Sequence, residues 1–102
     1  MNEQTNMANK PPQQIEIKAS DEQLHGKYAN MMQVIHTKEE FVMDFVNLAP
    51  PHGILTSRII VHPAHAKRVA QALMENVKRY EDQFGVIEVG INPQQNFGFR
   101  TE

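Results

Sequence analysis

The sequence contains no cysteine among its 102 residues. This absence excludes a disulfide framework, cysteine zinc sites, iron–sulfur clusters and cysteine nucleophiles. No run approaches the ~20 apolar residues that a bilayer-spanning helix needs, and the first 14 residues lack the apolar segment of a signal peptide. We therefore expect a cytoplasmic protein that does not enter a membrane.

An excess of positive charge is also missing. Ten Lys and Arg residues against twelve Asp and Glu residues give a formal net charge of −2, which excludes a strongly basic nucleic-acid-binding surface. The GxGxxG and GxxxxGK[ST] phosphate loops and the HExxH metal motif are absent. His62 and His65 have no carboxylate at a ligand spacing. The sequence thus predicts no metal, no cofactor, no catalytic residue and no enzyme activity.

The remaining composition is that of one small folded domain. Apolar residues make up 40% of the chain and charged residues 22%, which is typical of a globular protein. The polar ends predict a disordered tail at residues 1–13 and a flexible tail at residues 92–102, leaving a single domain at residues 14–91. The sequence leaves open whether Phe97 and Phe99, in the second tail, dock on that domain.

Four short runs, rich in apolar or β-branched residues, are typical of β-strands. They are residues 15–19, 28–36, 40–48 and 54–61. The connections between them are short, and one is the proline-containing loop at residues 50–53, so the simplest topology is a four-stranded antiparallel meander. Both faces of the run at residues 28–36 are apolar, which leaves its register open.

The segment after the strands predicts one long C-terminal helix in an α+β fold. Pro63 suits the first helical position, and Gly85 suits the left-handed residue beyond the end. The apolar residues recur every three or four positions, as on one face of a helix. They are Ala66, Val69, Ala70, Leu73, Val77, Tyr80 and Phe84. Residues 86–89 could add a short extra strand after this helix.

A register for the last two strands follows if paired residue numbers sum to 102, because charges and apolar residues then match. The pairs are Leu48–Ile54, Val46–Thr56, Asp44–Arg58, Val42–Ile60 and Glu40–His62. One face then holds Phe41, Met43 and Phe45 against Leu55, Ser57, Ile59 and Val61. This more apolar face is predicted to pack against the helix.

The opposite face mixes apolar residues with an ion pair and has no predicted cover within the chain. Its residues are Glu40, Val42, Asp44, Val46, Arg58, Ile60 and His62. Such a patch is unusual on a monomer, and a second copy can cover it about a twofold axis. We therefore expect a homodimer or a higher homo-oligomer. Asp44 and Arg58 suit a structural cross-strand ion pair, or alternatively a catalytic acid with a substrate clamp.

Several short motifs are shared with a known family. They are Tyr28-Ala29-Asn30, Glu40-Phe41 with Asp44-Phe45, Ser57-Arg58, Pro63, His65-Ala66-Lys67, and Tyr80-Glu81 with Phe84-Gly85. Over about residues 15–88 the chain resembles a family of small bacterial and archaeal proteins, domain of unknown function 3467. The resemblance implies a single small domain and carries no established activity.

The predicted order of four strands and a helix also resembles the Whirly, transcriptional coactivator and PUR-type binders of single-stranded nucleic acid, which work as dimers. This likeness of fold is a weak guide to function. The candidate phosphate contacts are Lys67, Arg68, Lys78 and Arg79. The sequence favours a small non-enzymatic homo-oligomeric module that binds another protein, with weak binding of single-stranded nucleic acid as the alternative.

Overall fold

The computed structural model describes residues 13–90 and 98–101. The elements are α1 (Asp21–His25), β1 (Met31–His36), β2 (Phe41–Ala49), β3 (His52–Val61) and α2 (Pro63–Phe84). The strands form one antiparallel sheet in the order β1-β2-β3. The α+β meander with a C-terminal helix is confirmed, but the prediction of four strands is wrong.

The two remaining predicted strands do not form in the described part of the chain. Residues 15–19 and 86–89 lie outside any strand, and Ile17 and Val89 are exposed. Alternation of apolar and polar residues shows which side chains would share a face, but a strand also needs a neighbour that satisfies its backbone hydrogen bonds. Neither segment pairs with β1 or β3, the two edge strands of the sheet.

The first strand is shorter than predicted because Asn30 replaces part of the backbone ladder with its side chain. Its Nδ2 donates to the carbonyl of Leu48 at 2.9 Å, and its Oδ1 accepts from the Leu48 N–H at 2.8 Å. The Asn30 N–H donates to the Val46 carbonyl at 3.1 Å. Asn30 therefore fixes the start of β1 at Met31 against the end of β2.

The hairpin between β2 and β3 confirms two of the five predicted residue pairs. Val42 pairs with Ile60 and Asp44 with Arg58 as expected, but a bulge between Phe45 and Val46 shifts the rest of the ladder by one residue. Beyond this bulge, the predicted pairs are wrong, and they are replaced by Val46–Leu55, Asn47–Ile54, Leu48–Gly53 and Ala49–His52.

Two local features explain the shift. The hydroxyl of Thr56 donates to the Phe45 carbonyl at 2.8 Å and so holds the bulge. The predicted loop at residues 50–53 is also too long, because the strands run up to a turn of only Pro50 and Pro51, joined by a cis peptide bond. The bulge moves Leu55 to the mixed face, where the sequence analysis had not placed it.

Replacing Gly53 by alanine is expected to destabilise the hairpin. A Cβ atom at this position would lie 3.1 Å from Leu48 Cδ1 and 3.3 Å from Val46 Cγ1. Overpacking of this kind costs about 1–3 kcal/mol, measurable by urea unfolding. The matched control is Gly98→Ala, where a Cβ atom would have no neighbour within 4 Å. Equal stability of the two variants would contradict the close packing at Gly53.

The ends of α2 are as predicted. Pro63 is the first helical residue, and His62 caps the helix by accepting the Ala64 N–H on Nδ1 at 3.2 Å. Gly85 ends the helix with φ of 101°, a conformation that favours glycine, and its N–H donates to the Glu81 carbonyl at 2.9 Å. A 22-residue helix is thereby fixed at both termini.

The predicted packing of this helix on its own sheet is wrong. No residue of α2 is buried, and Leu73 in the middle of its apolar face is 62% exposed. Only His62 lies between β3 and α2, and its cap fixes the direction of the first turn. A connection of one residue gives the chain little freedom to bring the helix back over the same sheet.

Candidate interaction surfaces

The centre of the mixed sheet face is an ion pair between neighbouring strands. Arg58 on β3 donates from Nε to Oδ1 of Asp44 at 2.7 Å and from Nη2 to Oδ2 at 2.9 Å. Asp44 on the central strand is only 2% exposed, whereas the Arg58 side chain is 47% exposed. Both carboxylate oxygens are engaged in a two-pronged geometry that is among the stronger hydrogen-bonded arrangements. This is the geometry of a structural ion pair.

The ion pair sets the protonation state of Asp44. Hydrogen bonds from Arg58 lower the pKa of the Asp44 carboxyl below its ordinary value, which outweighs the opposite effect of burial, and the positive charge adds to the lowering. The same contacts raise the pKa of Arg58. Asp44 is therefore a charged acceptor at neutral pH rather than a group poised to release a proton.

This lowered pKa predicts a loss of stability in acid. The folded Asp44 carboxyl holds its proton less tightly than the unfolded one. Its contribution to the free energy of unfolding is therefore fully present above the unfolded pKa of about 4. The contribution is lost as the pH falls through the lower folded pKa. We expect the free energy of unfolding of the wild type to exceed that of Asp44→Asn by a constant amount above about pH 5 and to converge with it in acid. A difference that does not change with pH would contradict this assignment.

The C-terminal segment lies against the mixed face. The guanidinium carbon of Arg58 lies 5.3 Å from the centre of the Phe99 ring, within the range of a cation–π contact. Gly98, Phe99 and Arg100 line a groove of about 270 Å³. The rest of its lining is Pro51 of the turn and the sheet residues Met31, Val46, Leu48, Gly53 and Leu55. The expectation that this face has no cover within the chain is thus wrong at Arg58, while Phe97 lies outside the described residues.

The other residues predicted for this face are only partly brought together. Val42 and Ile60 face each other across β2 and β3, beside the ion pair. Glu40 and His62 lie just outside the paired strands, and the His62 ring is engaged in capping α2. The sequence analysis missed Asn30, Thr56 and Gln33, which pairs with Asp44 on β1. Asn30 was named only within the motif Tyr28-Ala29-Asn30, and no local pattern could show its bonds to Leu48, which lies 18 residues further along the chain.

The opposite side of the sheet, here called the apolar sheet face, carries no charged residue on its three strands. Its apolar residues are Met32, Val34, Phe41, Met43, Phe45, Ile59 and Val61, and it also carries Ser57 and His36, whose ring stacks on Phe41 at 5.2 Å. None of these side chains is buried. The segment from Ser20 to Ala29 borders one end of this face and forms an open cleft of about 770 Å³ with Phe45 and Ile59. The rest of the face is left without a layer packed upon it.

The third surface is the helix stripe, the apolar side of α2. It comprises Ala66, Val69, Ala70, Leu73, Val77, Tyr80 and Phe84. The rings of Tyr80 and Phe84 lie 5.0 Å apart, yet Phe84 remains 65% exposed. A contiguous apolar stripe of this length is a mark of an interaction site rather than of a solvated helix.

The basic residues of α2 lie away from the helix stripe. Lys67, Arg68, Lys78 and Arg79 are exposed, and none has a carboxylate within 4 Å among residues 13–90 and 98–101. At 100° per residue, Glu75 and Asp82 fall between them on the same side of the helix. The surface is therefore one of mixed charge.

Within residues 13–90 and 98–101, no helix has both the length and the apolarity to cross a bilayer. In the same part of the chain, no three His, Asp or Glu side chains converge where they could hold a metal ion.

Comparison with known proteins identifies the family. No curated protein and no solved structure matches the chain. The family model described as "Protein of unknown function (DUF3467)" matches residues 1–89, which include all five elements of the fold. The chain belongs to the DUF3467 family.

Proposed function

We propose that the protein is a non-enzymatic, homo-oligomeric interaction module. The observation that supports this function is the lack of a core: in the described part of the chain, Val46 is the only buried apolar side chain. A domain of this size normally buries about 60% or more of the surface that its unfolded chain exposes. Without such burial, the entropy lost on folding is not offset.

A second copy supplies the missing burial. None of the fourteen apolar residues of the helix stripe and the apolar sheet face is buried in the single chain, and a typical stable interface buries roughly 800 Å² on each partner. At about 25 cal/mol per Å² of apolar surface, such an interface contributes on the order of 20–40 kcal/mol of gross hydrophobic stabilisation per dimer. Folding and association are then a single equilibrium.

The test is the dependence of unfolding on protein concentration. We expect light scattering to give at least the mass of two chains at micromolar concentration. We also expect the midpoint of thermal unfolding, followed by circular dichroism, to rise with concentration, as it does when folding is coupled to association. A folded particle with the mass of one chain and a constant midpoint would exclude the proposed function.

The mixed sheet face is the surface that we assign to a partner protein. Ile60 beside the ion pair is exposed, and the groove beside Phe99 is lined by polar atoms as well as by apolar side chains. Arginine next to exposed aliphatic and aromatic groups is typical of protein-binding surfaces. Because Phe99 covers only part of this face, a partner could bind beside it.

The alternative function is weak binding of single-stranded nucleic acid. Four exposed cations on α2 support it, but the acidic residues between them weaken it, because phosphate neutralisation dominates such binding. Fluorescence anisotropy of a labelled oligonucleotide, titrated at low and moderate salt, tests it. Steeply salt-dependent binding that is lost on neutralising Lys67, Arg68, Lys78 and Arg79 would favour this alternative.

A further inference from the structure

We propose that two chains associate by exchanging α2, so that the helix stripe of each chain packs on the apolar sheet face of the other. This inference rests on the proposed function and specifies its interface. Both surfaces are present in every chain and both are open. A twofold axis therefore covers both surfaces of both chains, through two identical helix-on-sheet contacts.

The helix stripe is long enough to cover the apolar sheet face. From Ala66 to Phe84 the stripe is about 27 Å long, at 1.5 Å per residue. On the central strand β2 the apolar sheet face runs from Phe41 to Phe45, about 14 Å at 3.4 Å per residue. One helix can therefore cover the apolar sheet face, with part of the stripe extending beyond it.

The connection between β3 and α2 favours packing on the partner rather than on the same chain. His62 alone joins the two elements, and its ring is held by the cap on Ala64. No α2 residue is buried against its own sheet. The helix stripe thus projects from the chain that carries it and is free to meet a second copy.

The charges on the two sheet faces and the position of Phe99 indicate which face the helix of the partner covers. The mixed face carries the Asp44–Arg58 pair, and Phe99 already rests on Arg58. Covering it with an apolar helix would take the half-exposed guanidinium further out of water, at a cost in solvation. The apolar sheet face carries no Asp, Glu, Lys or Arg on its three strands, and phenylalanine, methionine and aliphatic side chains make up most of it, with His36 and Ser57 as its polar members.

Site-directed cross-linking tests the exchange, since the sequence has no native cysteine. Two single variants, Leu73→Cys on the helix stripe and Met43→Cys on the apolar sheet face, are mixed under conditions that allow subunits to re-equilibrate. A short bis-maleimide is then added. We expect a strong new band on a denaturing gel at the mass of two chains, formed by the mixed dimers.

Matched variants keep the test independent of any one position. Val69→Cys and Val77→Cys, also on the helix stripe, are each mixed with Met43→Cys, and at least one of the three mixtures should cross-link strongly. Gln71→Cys, on the opposite side of α2, should give no such band with Met43→Cys. Circular dichroism and light scattering check that each variant keeps the fold and mass of the wild type.

The outcomes separate the exchange from the proposed function. If the mass is that of a dimer but no stripe variant links to Met43→Cys in preference to Gln71→Cys, the exchange is wrong and the homo-oligomeric function stands. If the double variant Met43→Cys/Leu73→Cys links only within one chain, the exchange is also wrong. If light scattering gives one chain throughout, both proposals fail.

Discussion

Substitution of Arg58 by alanine is expected to lower the midpoint of thermal unfolding by about 10 °C or more, at fixed protein concentration. Asp44 is 2% exposed, and Arg58 donates to both of its carboxylate oxygens. Removing the guanidinium leaves a buried negative charge without these partners, and an unpaired buried charge is among the most costly defects in a folded protein. Differential scanning calorimetry measures the shift.

Two variants make this prediction specific. Arg68→Ala removes the same side chain from an exposed position on α2, and we expect its midpoint to change by no more than about 2 °C. The double variant Asp44→Leu/Arg58→Leu removes both charges together and should recover most of the loss, because no uncompensated charge remains. Similar midpoints for Arg58→Ala and Arg68→Ala would show that the ion pair contributes little.

The parts of the fold that the sequence predicts well are those governed by neighbouring residues. The helix depends on local periodicity, on Pro63 and on Gly85, and its bounds match. The pairing of Asp44 with Arg58 depends on complementary side chains across one hairpin, and it is also correct. In both cases the determinants lie on the same element or on adjacent strands.

The errors concern features that a residue pattern does not encode. The bulge at Thr56 inserts one residue into a strand whose residues 54–61, ILTSRIIV, do not alternate between apolar and polar, so the pattern could not show where the register shifts. The run at residues 15–19 has the period of a strand but no hydrogen-bonding neighbour. The period of the apolar residues shows which side chains share a face, whereas a ladder of backbone hydrogen bonds requires a neighbouring strand.

The predicted packing of α2 was wrong for a related reason. An amphipathic stripe indicates that a helix is to be covered, but it does not distinguish the chain's own sheet from that of another chain. The length of the connection at His62 carries that information. The set of candidate interaction surfaces is therefore larger than predicted. The sequence predicted only the mixed face around Arg58, whereas the helix stripe and the apolar sheet face are also open in the structure.

Substitution of Leu73 by aspartate is expected to raise the Kd of self-association by about 100-fold or more. In the single chain Leu73 is 62% exposed, so a carboxylate there is solvated and costs little. In an interface formed by the helix stripe the same carboxylate would be desolvated next to apolar groups, at a cost of at least about 3 kcal/mol. Sedimentation equilibrium measures the Kd.

Gln71→Asp is the matched control for this variant. It places the same charge two residues away, on the side of α2 opposite the helix stripe, and therefore changes net charge and helix propensity by a similar amount. We expect its Kd to stay within about threefold of the wild type, because surface substitutions usually have small effects. If both variants dissociated equally, the cause would be charge or helix stability and not the stripe. We expect Leu73→Asp alone to lower the mass to that of one chain, because the isolated chain lacks a core and depends on the interface that the helix stripe forms.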